Sequence, residues 1–164
     1  MKVRFVGVVL FVLAMVFAVG ANAQVTKKQL VGKWSVVSVV NEQDGKKWEP
    51  FGPHPLGQFI FTLDGNFSIN LDTPGRPKFA SNNRLTGTAE ENKAAMVGYQ
   101  AQFGTYTIGP DGSITLHIVG SNFPNWDGVD LKGRTAQVKG DEMTWKNPGA
   151  AVGGSNVIML KRAK

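Results

Sequence analysis

The sequence predicts an all-β protein, a single antiparallel up-and-down barrel of eight strands or slightly more with one helical insertion. Apolar and polar residues alternate with period two in eight short segments, and Asp-Gly or Gly-Asp pairs separate several of them. Short turns make neighbouring strands antiparallel, since a parallel pair needs a long crossover. A meander of eight strands leaves two unpaired edges unless the sheet closes, so we expect a barrel, with a β-sandwich as the alternative.

The strand predictions rest on that alternation. The clearest segment is 66–71, where Phe67, Ile69 and Leu71 alternate with polar residues. In segment 32–40 the same period places four residues on one face, namely Trp34, Val36, Ser38 and Val40. The predicted strands are 32–40, 57–62, 66–71, 102–108, 113–119, 134–138, 142–146 and 156–161.

Four turns are predicted at Asp44-Gly45, Asp64-Gly65, Asp111-Gly112 and Gly140-Asp141. These residue types tolerate the positive φ angles of tight hairpins.

Residues 72–100 interrupt the strand pattern. Pro74 and Pro77 are incompatible with a regular ladder, and Thr88 with Glu91 three residues later fits a helix capping box. We therefore expect a helix over 89–99 with Ala95, Met96 and Tyr99 on one apolar face. Such a helix either plugs one end of the barrel or packs against its outside.

Residues 1–23 resemble a secretory signal peptide. Lys2 and Arg4 precede an apolar stretch of about 15 residues, shorter than the ~20 that span a bilayer, and Ala21-Asn22-Ala23 fits a cleavage site. We expect one domain, 24–164, that is periplasmic or secreted and has no stable membrane anchor after cleavage. The rival interpretation is an uncleaved anchor.

The charge distribution argues against nucleic-acid binding. The chain has 18 Lys and Arg against 12 Asp and Glu, and removal of Lys2 and Arg4 leaves 16 against 12, a net charge of +4. The basic residues are dispersed and form no stripe with aromatic residues. We expect no nucleic-acid partner.

Motifs for metal, phosphate or hydrolase chemistry are missing from the sequence. There is no cysteine and there are two histidines, His54 and His117, too few for a usual zinc site. The glycine-rich segment 147–156 has no Gly-Lys-Ser/Thr, and no Gly-x-Ser-x-Gly occurs. We expect neither a metal site nor a cofactor.

One group of polar and aromatic residues could form a site. His117 is followed by Asn125 and Trp126, and Arg134 opens the next predicted strand, alongside His117 in a meander. Together they could bind or polarise a carbonyl, phenol or carboxylate. Alternatively His117 lies with Thr115 on the wet outer face, and Trp126 packs in the structure rather than on a ligand.

Several segments, in order, resemble the bacterial and fungal lipocalin-like domain family. The match extends from about residue 30 to 160. Its most specific parts are Arg76-Pro77-Lys78-Phe79-Ala80, Gly104-Thr105-Tyr106 and Ser121-Asn122-Phe123-Pro124-Asn125-Trp126.

The resemblance implies a calycin-type barrel with an internal cavity and a helical insertion. It carries over five candidate residues, Arg76, His117, Asn125, Trp126 and Arg134, and it favours a His117 that faces the lumen. Lys132-Gly133 departs from the family pattern, which usually reads as a regular strand just before Arg134. The leader separates the chain from members thought to work in the cytoplasm.

The first functional hypothesis is an exported, monomeric barrel that binds a small, mostly apolar molecule. Phe59, Phe61, Phe67, Ile69, Met143 and Trp145 would line or fill the lumen. The candidate ligand-binding residues are Phe59, Phe61, Phe67, Arg76, Tyr106, His117, Asn125, Trp126, Arg134 and Trp145. The second hypothesis is an isomerase or cyclase with His117 as acid or base and Arg134 stabilising negative charge. The third is a structural or interaction module, which needs a filled lumen.

Overall fold

The computed structural model describes residues 24–164, so the predicted leader, 1–23, lies outside the described residues. Nine strands form one antiparallel sheet. They are β1 Gly32–Gln43, β2 Lys46–Trp48, β3 Leu56–Phe61, β4 Asn66–Asp72, β5 Tyr99–Ile108, β6 Ile114–Ser121, β7 Asp130–Lys139, β8 Glu142–Asn147 and β9 Ser155–Arg162.

The sheet closes on itself. Strands β3 to β9 pair in sequence order, and β1 pairs with β3 on one side and with β9 on the other. Eight strands thus form an up-and-down barrel, as predicted, and the sandwich alternative is wrong. Strand β2 is an extra element. It pairs with the C-terminal end of β1, on the edge of β1 whose N-terminal end pairs with β3.

Strand β2 was not predicted because it has three residues, all exposed, and therefore shows no apolar alternation. Its turn was predicted: Asp44 and Gly45 have φ angles of 51° and 74°. Positive φ at both central residues is the geometry of the tight hairpin turn that Asp-Gly favours.

Aromatic side chains fill the centre of the barrel. The Phe61 ring stacks on Trp145 at 5.5 Å and meets Tyr106 edge-on at 5.3 Å, while Phe59 meets Trp145 edge-on at 5.7 Å. Ile114, Leu116 and Ile118 of β6 also point inward and are fully buried. These residues fill the lumen rather than line a void.

Strand β1 contains a β-bulge that the sequence pattern does not show. Val36 pairs with Leu160 and Ser38 pairs with the next residue, Met159, so Val37 has no partner in the ladder. An extra residue reverses the alternation beyond it. Val39 and Asn41 therefore face inward and are buried, and the prediction that Ser38 and Val40 share the face of Trp34 is wrong.

Helix α1, Lys27–Leu30, closes the end of the barrel at which β1 begins. A capping box between Thr26 and Gln29 starts it, with Oγ1 of Thr26 accepting from the Gln29 amide at 3.3 Å. Leu30 is fully buried, and its carbonyl accepts a 2.8 Å hydrogen bond from Trp34 Nε1. The helix end is thereby joined to the core.

Helix α2, Ala89–Val97, begins at the predicted capping box, in which Thr88 N donates to Glu91 at 2.8 Å. The predicted apolar face is wrong, since α2 has no buried residue and Tyr99 belongs to β5. Neither helix within residues 24–164 is long and apolar enough to cross a membrane.

Candidate functional site

A pocket of about 570 Å³ opens at the end of the barrel opposite α1. Strand ends, loops and α2 form its wall, and most of the wall is apolar or aromatic. The lining residues are Asn41, Trp48, Glu49, Pro50, Phe51, Met96, Val97, Tyr99, Gln100, Asn122, Phe123, Trp126, Ala150, Ala151, Val152 and Asn156.

Helix α2 forms part of the rim through Met96 and Val97, both exposed. Asn122 joins the rim to the barrel: its Nδ2 donates to the Tyr99 carbonyl at 2.8 Å, and its Oδ1 accepts from Ala101 N at 2.7 Å. Nδ2 also lies 3.6 Å from Met96 Sδ. The insertion thus neither plugs the barrel nor packs on its outside; it borders the opening.

Arg76 holds α2 in this position. Its Nη1 donates to the Ala95 carbonyl at 3.1 Å, and its guanidinium lies 5.1 Å from the centre of the Tyr99 ring. Its Nε forms an ion pair with Asp72 Oδ1 at 2.7 Å. The angle of this contact is not that of a hydrogen bond, so Asp72 Oδ1 has no hydrogen-bond partner among residues 24–164. Arg76 borders the site but does not line the pocket.

Trp126, one of the candidate ligand residues, lines the pocket. It ends a 3-10 turn, Pro124–Trp126, and Phe123 meets its ring edge-on at 5.6 Å. The indole is half-buried and packs against the core, so it has both a structural contact and a face on the pocket. Asn125 in the same turn is exposed and does not line the pocket.

Asn41 is the most unusual residue of the pocket wall. It is only 1% exposed, and neither Nδ2 nor Oδ1 has a hydrogen-bond partner within residues 24–164. A buried polar group without a partner costs about 1–3 kcal/mol. Oε1 of Gln102, two residues along β5 from the pocket residue Gln100, is likewise buried and unpartnered in this part of the chain.

Two asparagine side chains next to Asn41, those of Asn147 and Asn156, are bonded to each other. Asn41 pairs with Asn156 across β1 and β9, and Asn156 pairs with Asn147 across β9 and β8. Asn147 Nδ2 donates to Asn156 Oδ1 at 2.6 Å, and Trp145 Nε1 donates to Asn147 Oδ1 at 2.7 Å. Asn147, Asn156 and Asn41 thus form a row of side-chain amides on neighbouring strands, with Asn41 at its end. The Asn41 amide makes no hydrogen bond to the other two.

The pocket wall has little charge. Glu49, which is exposed at the rim, is its one charged residue, and the wall contains no Lys, Arg or His. The hydroxyl of Tyr99 is engaged with Asn70 Oδ1 at 3.0 Å. This electrostatic environment favours a neutral ligand over an anion.

The structure places His117 on the outer face of β6, so the expectation that it faces the lumen is wrong. Its side chain is 52% exposed, and Nδ1 lies 2.8 Å from Asp130 Oδ1 on β7. On this strand Leu116 and Ile118 point inward, and strict alternation sends His117 outward. It does not converge with Trp126 and Arg134 in a cavity.

Arg134 faces inward but does not line the pocket. It is 5% exposed, and its Nη1 donates to the Lys132 carbonyl at 2.8 Å. Burial lowers the pKa of Arg134 to about 10. The unusual Lys132-Gly133 pair coincides with an irregularity in the ladder, where Gly133 has a φ of 74°.

The remaining predicted ligand residues belong to the packed core. Phe59, Phe61, Phe67, Tyr106 and Trp145 are buried and are not part of the pocket wall. The Tyr106 hydroxyl donates to the Thr62 carbonyl at 2.8 Å, and burial, with a further contribution from Asp64, raises the pKa of Tyr106. Residues 24–164 contain no cluster of three His, Asp or Glu that could hold a metal ion.

A closed eight-stranded antiparallel up-and-down barrel is the architecture of the lipocalins. The chain belongs to the lipocalin-like domain family, whose family model matches residues 31–156. None of the curated proteins matches the chain. A solved structure of a redesigned beta barrel is similar to it at 13% identity and a TM-score of 0.44, over 84% of this chain and 95% of that one. Similarity at that level says nothing about ligand or activity.

Proposed function

We propose that the protein binds a small, mostly apolar, neutral molecule in the pocket at the open end of the barrel. The observation that carries this proposal is the open pocket of about 570 Å³ with aromatic residues from several loops in its wall. Ligand sites of small molecules typically measure 300–1,000 Å³ and combine apolar walls with a few polar groups. Trp126, Phe123 and Phe51 provide the apolar surface.

The filled centre of the barrel limits where the ligand sits. Phe61 and Trp145 stack below the pocket, so the ligand occupies the mouth and not the full length of the lumen. A purely structural module would need no such opening. The filled lumen is what the third hypothesis requires, so the support for binding is the pocket at the mouth alone.

The isomerase or cyclase alternative has less support. His117 was its acid or base, and that residue lies outside the barrel beside Asp130. A general acid or base must come within hydrogen-bond reach of the reacting group. No histidine lines the pocket, and the carboxylate of Glu49 is exposed at its rim, so we propose binding without catalysis.

The proposal is tested by titrating the chain 24–164 with N-phenyl-1-naphthylamine, a neutral apolar dye whose fluorescence rises in dry surroundings. Ala150 is half-buried in the pocket wall, so Ala150→Trp should fill the pocket and weaken dye binding at least tenfold. The matched control Val119→Trp adds the same side chain on the outer face and should bind like the parent. Saturable binding that is unaffected by Ala150→Trp would place the dye elsewhere.

We further propose that the protein is exported and that residues 1–23 are removed. The support is the sequence of the leader, with its basic start, short apolar stretch and Ala21-Asn22-Ala23. Intact mass spectrometry of the protein from an exporting host should give a chain that begins at Gln24. A mature protein that retains residues 5–19 would identify the segment as an anchor.

A further inference from the structure

The geometry of Asn41 points to a ligand with a neutral carboxamide or lactam group, and we propose that Asn41 pairs with this group. The inference rests on the proposed function and specifies which polar group the ligand carries. Asn41 lies in the wall of the pocket, is 1% exposed, and has no hydrogen-bond partner for Nδ2 or Oδ1 among residues 24–164.

An asparagine amide offers a donor and an acceptor side by side. A ligand amide presents the same two functions in the opposite order, so the two groups can form a pair of parallel hydrogen bonds. An ester or ether can accept from Nδ2 but leaves Oδ1 unpaired. Of these neutral groups, the amide satisfies both atoms of Asn41.

The charge of the wall excludes the main competitor, an ionised carboxylate. A carboxylate would accept from Nδ2, but it would have to be desolvated without a cation in the pocket wall and with Glu49 at the rim. The carboxamide also differs from a carboxylic acid in staying neutral at every physiological pH. The proposal therefore commits to an uncharged amide on an apolar body.

The fold makes Asn41 available. Its neighbours Asn147 and Asn156 are bonded to each other, and the bulge at Val37 turns Asn41 inward. The proposed pair requires the buried carboxamide to turn about its two side-chain bonds toward the pocket, while the β1 backbone stays in the ladder with β9. A ligand amide then continues the row of amides that begins at Asn147.

The test uses three probes with one alkyl chain: octanamide, methyl octanoate and octanoate. Calorimetry with the chain 24–164 at pH 7.5 should show octanamide binding about tenfold more tightly than methyl octanoate, and octanoate binding most weakly. Asn41→Leu should remove the preference for the amide over the ester. The control Val97→Ala, at the exposed rim, should weaken both neutral probes equally and keep the preference.

The outcomes separate this inference from the proposed function. Equal affinities for amide and ester, or a preference that persists in Asn41→Leu, would overturn the role of Asn41 while leaving a binding pocket. Tightest binding of octanoate would overturn the neutral amide. If none of the three probes binds, both proposals fail. The ranking in the unaltered protein decides the matter even if Asn41→Leu does not fold.

Discussion

The guanidinium of Arg162, in the last strand, lies 4.1 Å from the centre of the Trp34 ring, in the first strand. Its Nη1 donates to the Val31 carbonyl and its Nη2 to the Gln29 carbonyl, both at 3.0 Å. Carbonyls near the C-terminus of a helix lack intrahelical partners and carry partial negative charge. One side chain thus joins the last strand to α1 and β1 and holds α1 over the closed end of the barrel.

Arg162→Ala is expected to lower the free energy of unfolding by about 2–4 kcal/mol, because two charge-assisted hydrogen bonds and a cation–π contact are lost. Arg162→Lys keeps the charge but not the planar guanidinium that donates two hydrogen bonds, so it should lower the free energy of unfolding by about half as much. Urea unfolding measures both variants. Lys161→Ala is the control, since Lys161 is exposed and only weakly paired with Glu142, and it should change stability by less than ~0.5 kcal/mol. Equal effects of Arg162→Ala and Lys161→Ala would contradict this role.

Arg76→Ala should loosen α2 without unfolding the barrel. The helix has no buried residue, and Arg76 connects it to the barrel through Ala95, Tyr99 and Asp72. Hydrogen exchange should become faster in residues 89–97 and stay unchanged in the strands. Because Met96 and Val97 form the rim, affinity for N-phenyl-1-naphthylamine should fall several-fold.

Lys78→Ala is the matched control for the helix, since Lys78 is an exposed cation in the same insertion. It should change neither exchange nor affinity. Cooperative unfolding of the whole domain in Arg76→Ala would instead mark the helix as part of the stabilising core.

Arg134→Met is expected to stabilise the protein by about 1–3 kcal/mol. Burial lowers the pKa of Arg134 to about 10, which corresponds to a cost of roughly 3 kcal/mol for holding the charge inside. The loss of the hydrogen bond to the Lys132 carbonyl offsets part of the gain. An apolar side chain often replaces a buried charge without loss of stability.

The same shift gives a pH dependence with a definite sign. The folded pKa of Arg134 is lower than its unfolded pKa, so the cost is complete below pH 10 and shrinks as the pH rises above 10. The advantage of Arg134→Met over the parent should therefore shrink between pH 8 and pH 11.5 in urea unfolding. A variant that is less stable than the parent at pH 8 would show that Arg134 contributes more by packing than its charge costs.

His117→Ala should leave binding of N-phenyl-1-naphthylamine unchanged and alter stability by less than ~0.5 kcal/mol, because the pair with Asp130 is exposed on the outer face.

Trp126→Ala should lower the affinity for N-phenyl-1-naphthylamine about tenfold, since it removes aromatic surface from the pocket wall. Fluorescence titration of the two variants measures the contrast. Weaker dye binding by His117→Ala would contradict this prediction and support a ligand site that includes His117.

The strands were predictable because each has a regular alternation that tertiary packing preserves. The alternation in 66–71 corresponds to β4, and the Gly of each predicted turn has a positive φ angle, whereas of the four Asp residues in these turns only Asp44 has one. The capping box at Thr88 was predictable for the same reason, since it depends on residues three positions apart. Local chemistry was sufficient for these elements.

Of the candidate residues that the sequence suggested, Trp126 lines the pocket, and it stands in a recognisable motif. Asn41 was missed because strict alternation from Trp34 places it outside, and only the bulge at Val37 turns it inward. His117 was expected to face the lumen, although the alternation in its own strand already indicated the outer face. Segments 48–51 and 150–152 are far apart in the sequence but line the same pocket, and no local pattern shows that they come to one site.

Deletion of Val37 tests whether the pocket needs the bulge itself or only the inward direction of Asn41. Val36 and Val39 face inward on either side of the bulge, with Val37 and Ser38 between them. Without Val37, Ser38 alone separates Val36 from Val39, so regular alternation keeps Val39 and Asn41 facing inward. The deletion variant should therefore fold, with a loss of no more than ~3 kcal/mol in urea unfolding, and should keep the preference for octanamide over methyl octanoate. Val37→Thr keeps the residue count and the bulge, and because Val37 is largely exposed it should change stability by less than ~1 kcal/mol. A deletion variant that does not fold or that loses the preference would show that the pocket depends on the local twist that the bulge gives β1.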